Sequence, residues 1–445
     1  MKSEMSRLSL RFVKLVLVCG MATLPLSGCM KNRFKCKAGN PKTTQADGNA
    51  GTAKENAHIK RSTDSNTPEE SDKPAAVNDI NAQQTTNKID NSSSSKSLWT
   101  LGYYMGSQTK QYPPENINFD ALTHLAVGAI LPNEDGSIDT SLYQPSKTDG
   151  AQLIDQLVSL AQKKNVKTLA MLGGKGMREK LLSATSPATL SRFVAELVTY
   201  ARDLHKMDGL DLAWEPFMVE DHQQFKELVA ALRYEWPDVL LTFPVAPLNS
   251  NYQKADSFIS AIVPRLDQIN IKSYSMATAF EASELHSWHS AALKGETEST
   301  PMSVSETVNL YIKSGIPAAK IGIGIGFFGI CYSAPVQAPR EELRGSRIIA
   351  AEDSMSYTKI IHDYLPHSKY SYDELAEVPY LTLEPPINGC TYISFENERS
   401  IRSKAQFVKQ ARLGGAMIWT INQGYLPNAT AGQQDPLMKT IEEQF

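Results

Sequence analysis

Cysteine is scarce: five residues among 445, at positions 19, 29, 36, 331 and 390, with no CxxC pair. That pattern argues against a structural zinc site held by thiolates. Long apolar runs are missing as well. The one candidate, Leu15 to Leu26, is shorter than the roughly 20 residues a membrane-spanning helix needs. No excess of one charge exists either: 45 Lys and Arg stand against 48 Asp and Glu, with the basic residues scattered. Nucleic acid is therefore not expected as the main partner. Between Met30 and Lys96 aromatic and β-branched aliphatic residues are nearly absent, and the stretch ends in Ser92-Ser93-Ser94-Ser95. Such a composition cannot bury enough apolar surface to offset the entropy of ordering. Residues 29–96 are thus expected to form a disordered low-complexity tether, with a typical reach on the order of 45 Å.

What is present at the N-terminus is an export signal over residues 1–28. Lys2, Arg7, Arg11 and Lys14 make a basic start, followed by the short apolar core. Leu26-Ser27-Gly28-Cys29 resembles a bacterial lipobox, which implies that Cys29 becomes the lipidated first residue. An ordinary signal peptide that happens to contain Cys29 is the alternative. The lipobox reading places the protein outside the cytoplasm, lipid-anchored in a bacterial cell envelope. Met30 is not the Asp that often retains lipoproteins at the inner membrane, so the outer membrane is expected where there are two.

The remaining chain, 97–445, carries eight strand-like apolar runs: Leu98–Met105, Thr123–Leu131, Val166–Leu172, Gly209–Trp214, Val239–Val245, Gln268–Tyr274, Ile321–Phe328 and Ala416–Thr420. Between them, segments such as Gln152–Lys164, Leu190–His205, Asp221–Tyr234 and Ser303–Ser314 space apolar residues by three and four. Eight strands alternating with helices is the count of a (β/α)8 TIM barrel, an α/β fold; a doubly wound sheet is the alternative. The long break from about 329 to 391, between strands 7 and 8, has no barrel-type pattern. Cys331 and Cys390 flank it, and the sequence leaves open whether they form a disulfide or two separate thiols.

Asp208-Gly209-Leu210-Asp211-Leu212-Ala213-Trp214-Glu215 is the most informative stretch. Side chains alternate along a strand, so Asp211, Ala213 and Glu215 share one face while Leu210, Leu212 and Trp214 share the other. Three co-facing positions ending in an acid, with Pro216 straight after, describe the carboxyl end of a strand where catalytic acids are mounted. The stretch resembles the signature Asp-Gly-x-Asp-x-Asp-x-Glu of the family 18 glycoside hydrolases, the chitinases and their relatives. One acid is missing, with Ala213 in its place. Further likenesses follow in the family's order: Leu101-Gly102-Tyr103-Tyr104 to the first strand, Leu172-Gly173-Gly174 to the third with Met171 where Ser is usual, Gln268 to Ser275 to the sixth-strand Met-x-Tyr-Asp region with Ser275 replacing the acid, and Gly414 to Trp419 to the last strand.

The resemblance implies a small α+β insertion at about 329–391 forming one wall of a deep cleft. It also implies catalytic roles for Glu215 as proton donor, Tyr274 as the hydroxyl that orients the acetamide, and Asp211 as the buried supporting acid. Trp419, Tyr103 and Asp208 are expected on the substrate-binding side. In this family the substrate's own acetamide oxygen attacks the anomeric carbon, so a single protein acid suffices. Plainer readings stand beside these: Asp211 as a satisfied buried acid, Glu215 as an exposed strand-end carboxylate, Trp419 as core. The substrate expected is a β-1,4-linked N-acetylglucosamine glycan, acted on by a monomer without cofactor or metal. The missing Asp leaves a non-catalytic glycan-binding lectin as the alternative. Gly324 to Gly329 spells GxGxxG inside a strand with no helix after it, which argues against a dinucleotide site. His286 and His289 are expected as solvated loop histidines.

The anchor reading has a direct consequence. Cys29→Ser is expected to leave the protein soluble or unprocessed in cell fractionation, because no apolar stretch between Met30 and Lys96 replaces the lipid. Wild-type recovery of this variant in the membrane fraction refutes the lipid anchor.

Overall fold

The computed structural model describes residues 98–141, 147–249, 255–277 and 285–445. The segments expected as export signal and tether, with Cys29, lie outside the described residues. Among the described residues, no helix is long and apolar enough to cross a membrane.

Eight strands form the barrel: β1 (Trp99–Met105), β2 (His124–Pro132), β3 (Lys167–Lys175), β4 (Gly209–Glu215), β5 (Leu240–Val245), β6 (Gln268–Ile271), β7 (Ile321–Gly326) and, after an insertion, β13 (Gly415–Trp419). They pair in parallel in the order β1-β13-β7-β6-β5-β4-β3-β2, and β2 returns to β1, which closes the ring. Closure removes both sheet edges and divides every strand's side chains into two layers. Leu210, Leu212 and Trp214 of β4 pack outward into the main core with the helices, whereas Ala213 joins Leu101, Tyr103, Met171, Tyr274 and Met417 inside the ring. The (β/α)8 expectation therefore holds, and so does the alternation read from β4.

The GxGxxG stretch has a packing explanation. In β7 the isoleucines 321, 323 and 325 face the outer core, and the glycines face the lumen. A Cβ on Gly324 would lie 2.8 Å from the Tyr274 ring. Glycine is required there so that this aromatic side chain fits.

Between β7 and β13 lies a separate antiparallel sheet of five strands: β8 (Phe328–Ser333), β9 (Ile348–Ser356), β10 (Lys369–Asp373), β11 (Val378–Ile387) and β12 (Cys390–Ser394). Its order is β9-β8-β12-β11-β10. Short helical turns over Tyr357–His367 join β9 to β10 and supply the α part of the expected α+β insertion. Cys331 and Cys390 are bonded across β8 and β12, settling the alternative left open by the sequence. Closing that loop of 59 residues stabilises the fold by about 4 kcal/mol in the chain-entropy account.

The segment after β6 is tied to the insertion through His289, which is fully buried rather than solvated as expected. Its Nε2 lies 3.0 Å from Asp373 Oδ2, and its Nδ1 lies 3.0 Å from the Tyr392 hydroxyl and 3.2 Å from Ser394 Oγ. Arg340 also pairs with Asp373 and covers the Trp288 ring at 4.7 Å. The loop histidine is buried because this segment packs beneath β10–β12, a long-range contact that a local reading of polarity does not capture.

Burial holds the His289 imidazole below its ordinary range, and the pull of Asp373 in the other direction does not overcome it. A base whose folded pKa is depressed contributes stability that is present above the unfolded value of about 6.5 and is lost as pH falls below it. The gap in melting temperature between the wild type and His289→Gln is expected to narrow from pH 7 to pH 5, while the raised carboxyls of Asp211 and Asp435 act in the opposite direction on both proteins alike. A constant gap, measured by thermal unfolding, removes His289 as a source of pH dependence.

Candidate active site

The site sits where β3, β4, β6 and β13 end, because each of these strands delivers an inward side chain to the same mouth. Asp211 lies deepest and is fully buried on β4. It accepts hydrogen bonds from Tyr103 Oη, 2.9 Å away on β1, and from Thr242 Oγ1 on β5. Burial pushes its carboxyl up to about 7; the two hydrogen bonds oppose that rise, and the charge of Glu215 adds to it. At neutral pH a large share of Asp211 is therefore protonated and uncharged.

Ala213, two residues on, presents a buried methyl group to the lumen. The adjoining β3 backbone presses closely: Gly173 has φ +91°, and a Cβ there would come within 2.7 Å of the Ala213 carbonyl oxygen. Met171, in register with Asp211, adds a thioether to the wall. Two positions around the acids, 213 and 171, thus carry carbon or sulfur where polar support was expected.

Glu215 ends β4 with its side chain about a quarter exposed. Its Oε1 lies 2.8 Å from Nζ of Lys272, just past β6 and similarly exposed. Tyr274, two residues beyond Lys272, is nearly buried; its ring meets Phe328 edge-on at 5.5 Å, and its hydroxyl lies 4.0 Å from Met417 Sδ. Burial first, and the nearby Glu215 charge second, push its phenol well above the usual range, so it stays a hydrogen-bond donor. Trp419 ends β13 with its ring 5.1 Å from Tyr103. These side chains line a cleft of about 980 Å³, and Glu352 of the insertion lines it as well. The insertion thus contributes to the cleft, as the sequence implied.

Most of the expected site residues converge: Glu215, Tyr274, Trp419 and Tyr103 line one cleft, with Asp211 directly behind. Tyr103 does so mainly by binding Asp211. Asp208 is a correction. It precedes β4 at the opposite end of the barrel, where it pairs with Lys167 at 2.8 Å and accepts from the Thr168 backbone N–H at 2.8 Å. The length of β4, seven residues and roughly 20 Å, sets it apart from Glu215, so it is a stabilising link between β3 and β4 and has no place in the cleft.

Lys272 and Glu352 were missed. The signal for Lys272 was present: Gln268, Asn270, Lys272 and Tyr274 stand at every second position, so a lysine on the same face as Tyr274 must point at the lumen or its mouth. It also occupies the Met position of the Met-x-Tyr-Asp pattern. Among the described residues, no group of three or more His, Cys, Asp or Glu side chains could hold a metal ion.

Comparison with known proteins agrees with this geometry. The chain is 30% identical over 352 residues to a protein of Margaritifera margaritifera provisionally named chitinase 1, covering 74% of this chain and 71% of that one. It is 24% identical to the human chitinase-3-like protein 2, covering 76% of this chain and 90% of that one. Its fold is shared with the group IV chitinase of Ostrinia furnacalis, solved with allosamidin, at a TM-score of 0.65 and 24% identity over 78% of this chain and 98% of that one. The same TM-score, 0.65 at 20% identity, relates it to a human pseudo-chitinase with retained chito-oligosaccharide binding, over 78% of this chain and 99% of that one. Residues 100–424, from the first barrel strand to just past the last, match the Glycosyl hydrolases family 18, and the chain belongs to that family.

Proposed function

We propose that the cleft binds β-1,4-linked N-acetylglucosamine glycans and hydrolyses them slowly, by the substrate-assisted retaining route, with Glu215 as the acid. The observation that carries this reading is the convergence of the Glu215 carboxyl, the Tyr274 hydroxyl and the Trp419 ring on one cleft. A sugar stacked on Trp419 would place its acetamide oxygen toward Tyr274, leaving the glycosidic oxygen for Glu215. Because the acetamide is the nucleophile, no second carboxylate is needed from the protein. Membership of a hydrolase family and similarity to proteins named chitinases support the substrate class. Attached through Cys29, a monomeric barrel on the tether would work at the cell envelope.

Turnover is expected to be low because Ala213 supplies nothing to the acetamide N–H. Loss of one preorganised polar group costs about 10²–10³ in rate. A second reading, a glycan-binding lectin, is favoured by the ion pair: while Glu215 is paired to Lys272 as an anion it has no proton to give.

Hydrolysis of a fluorogenic chitotrioside by the full chain, alongside binding measured by calorimetry, separates the two. Glu215→Gln is expected to abolish release of the fluorophore and to leave affinity within a few fold, since the amide keeps the shape but cannot donate a catalytic proton. Unchanged turnover would take Glu215 out of the mechanism, and binding without turnover in the wild type supports the lectin.

Ala213→Asp is the complementary test. Under the hydrolase reading it restores an acceptor for the acetamide N–H and raises turnover at least about tenfold at similar affinity. A slower enzyme, destabilised by roughly 1–3 kcal/mol through a buried carboxylate with too few donors, indicates a cleft rebuilt around the methyl group.

A further inference from the structure

Lys272 changes what the cleft can accept, quite apart from its effect on Glu215. Its ammonium stands at the mouth of the barrel, about a quarter exposed, and among the described residues it pairs with Glu215 at 2.8 Å. A second lysine lines the same cleft: Lys175 is exposed and in register with Glu215 on the adjacent strand. Two lysines thus border the cleft at the ends of β3 and β6, one of them paired with Glu215. Three carboxyl groups besides Glu215 face or underlie this region. Asp256 is engaged with His222 at 2.8 Å, Glu352 enters from the insertion on the side of Tyr274, and Asp211 lies behind in the lumen, partly protonated at neutral pH. Tyr103 and Tyr274 remain neutral phenols. The position that would accept an N–H is a methyl group, so the polar character of this end of the cleft has moved from acceptor to cationic donor.

We propose that Lys272 makes the cleft selective for N-acetylhexosamine glycans that carry a carboxylate beside the reacting linkage, and that this carboxylate takes the ammonium over from Glu215. The inference rests on the glycan-binding reading given above. Once its partner is withdrawn, Glu215 faces the ligand's anion, and the like-charge contact is relieved when Glu215 takes up one proton from solvent. That proton is the one a general acid must deliver to the leaving glycosidic oxygen. An anionic ligand therefore arms the acid, whereas a neutral chito-oligosaccharide leaves the ion pair in place and is turned over more slowly. Because binding consumes a proton, affinity for the anionic ligand rises as pH falls, for as long as the ligand carboxylate stays ionised.

The test compares four tetrasaccharides on the full chain by calorimetry in two buffers of different ionisation enthalpy. They are chitotetraose, the alternating N-acetylglucosamine–N-acetylmuramic acid tetramer, the same tetramer with its carboxyls amidated, and an N-acetylglucosamine–glucuronic acid tetramer. At least one of the two carboxylate forms is expected to bind about tenfold more tightly than chitotetraose, the scale of one charge-assisted hydrogen bond, with measurable proton uptake. The lactyl and uronate arms identify which carboxylate fits. Lys272→Met is expected to erase both the preference and the proton uptake, and Lys272→Arg to keep the preference. Equal affinity for charged and neutral tetramers, or a preference that survives in Lys272→Met, overturns the inference and leaves the chitin-type reading standing. Binding of none of the four overturns both.

Discussion

Asp211 is the point on which the site depends. A carboxyl group wholly inside a barrel must either find donors or remain protonated, and Asp211 does some of each, with Tyr103 and Thr242 reaching it from the strands on either side of the lumen. Those bonds fix where β1, β4 and β5 stand relative to one another at the level just below the cleft. Glu215 projects from the same face of β4 two steps higher, so its place is set by the strand that Asp211 holds. A buried carboxyl of this kind is kept at the cost of desolvation, and its worth is in position more than in stability.

Four departures from the family pattern line one cleft. The family pattern calls for a carboxylate at position 213, a Ser at 171, a Met at 272 and an acid at 275; this chain has Ala213, Met171, Lys272 and Ser275. Lone loss of an acid would leave a cavity and an unbalanced charge. Here a thioether lies in the wall beside the lost group, and an ammonium has arrived next to the remaining carboxylate.

Much of the barrel was legible because its two signals are local. The alternation in Asp211-Leu212-Ala213-Trp214-Glu215 and the isoleucine-glycine alternation of β7 both report a strand with two unlike faces, and most expected strand ends fall within a few residues of those observed. The errors have physical causes. The run expected as Ile321–Phe328 is β7 followed at once by β8, because apolar residues continue through the point where the chain leaves the barrel. The helix Glu398–Gln410 begins where Asn397 caps it by accepting from the Ser400 N–H, a start signal carried by polar residues ahead of the apolar stripe. His289 and Asp208 were misplaced because their partners, Asp373 and Lys167, are 84 and 41 residues away. Lys272 was visible by parity but drew no notice beside the better-known Tyr274.

β7 offers a last lesson about tolerance to substitution. Its lumen-facing positions carry no functional group at all, yet a methyl at Gly322 or Gly324 would collide with Asn270 and Trp99 or with Tyr274. The residues most resistant to replacement around this cleft are therefore ones that touch no ligand. In a mutational scan, the blank positions of β7 would score like catalytic residues, and a map of intolerance alone would mistake the space reserved for Tyr274 for chemistry.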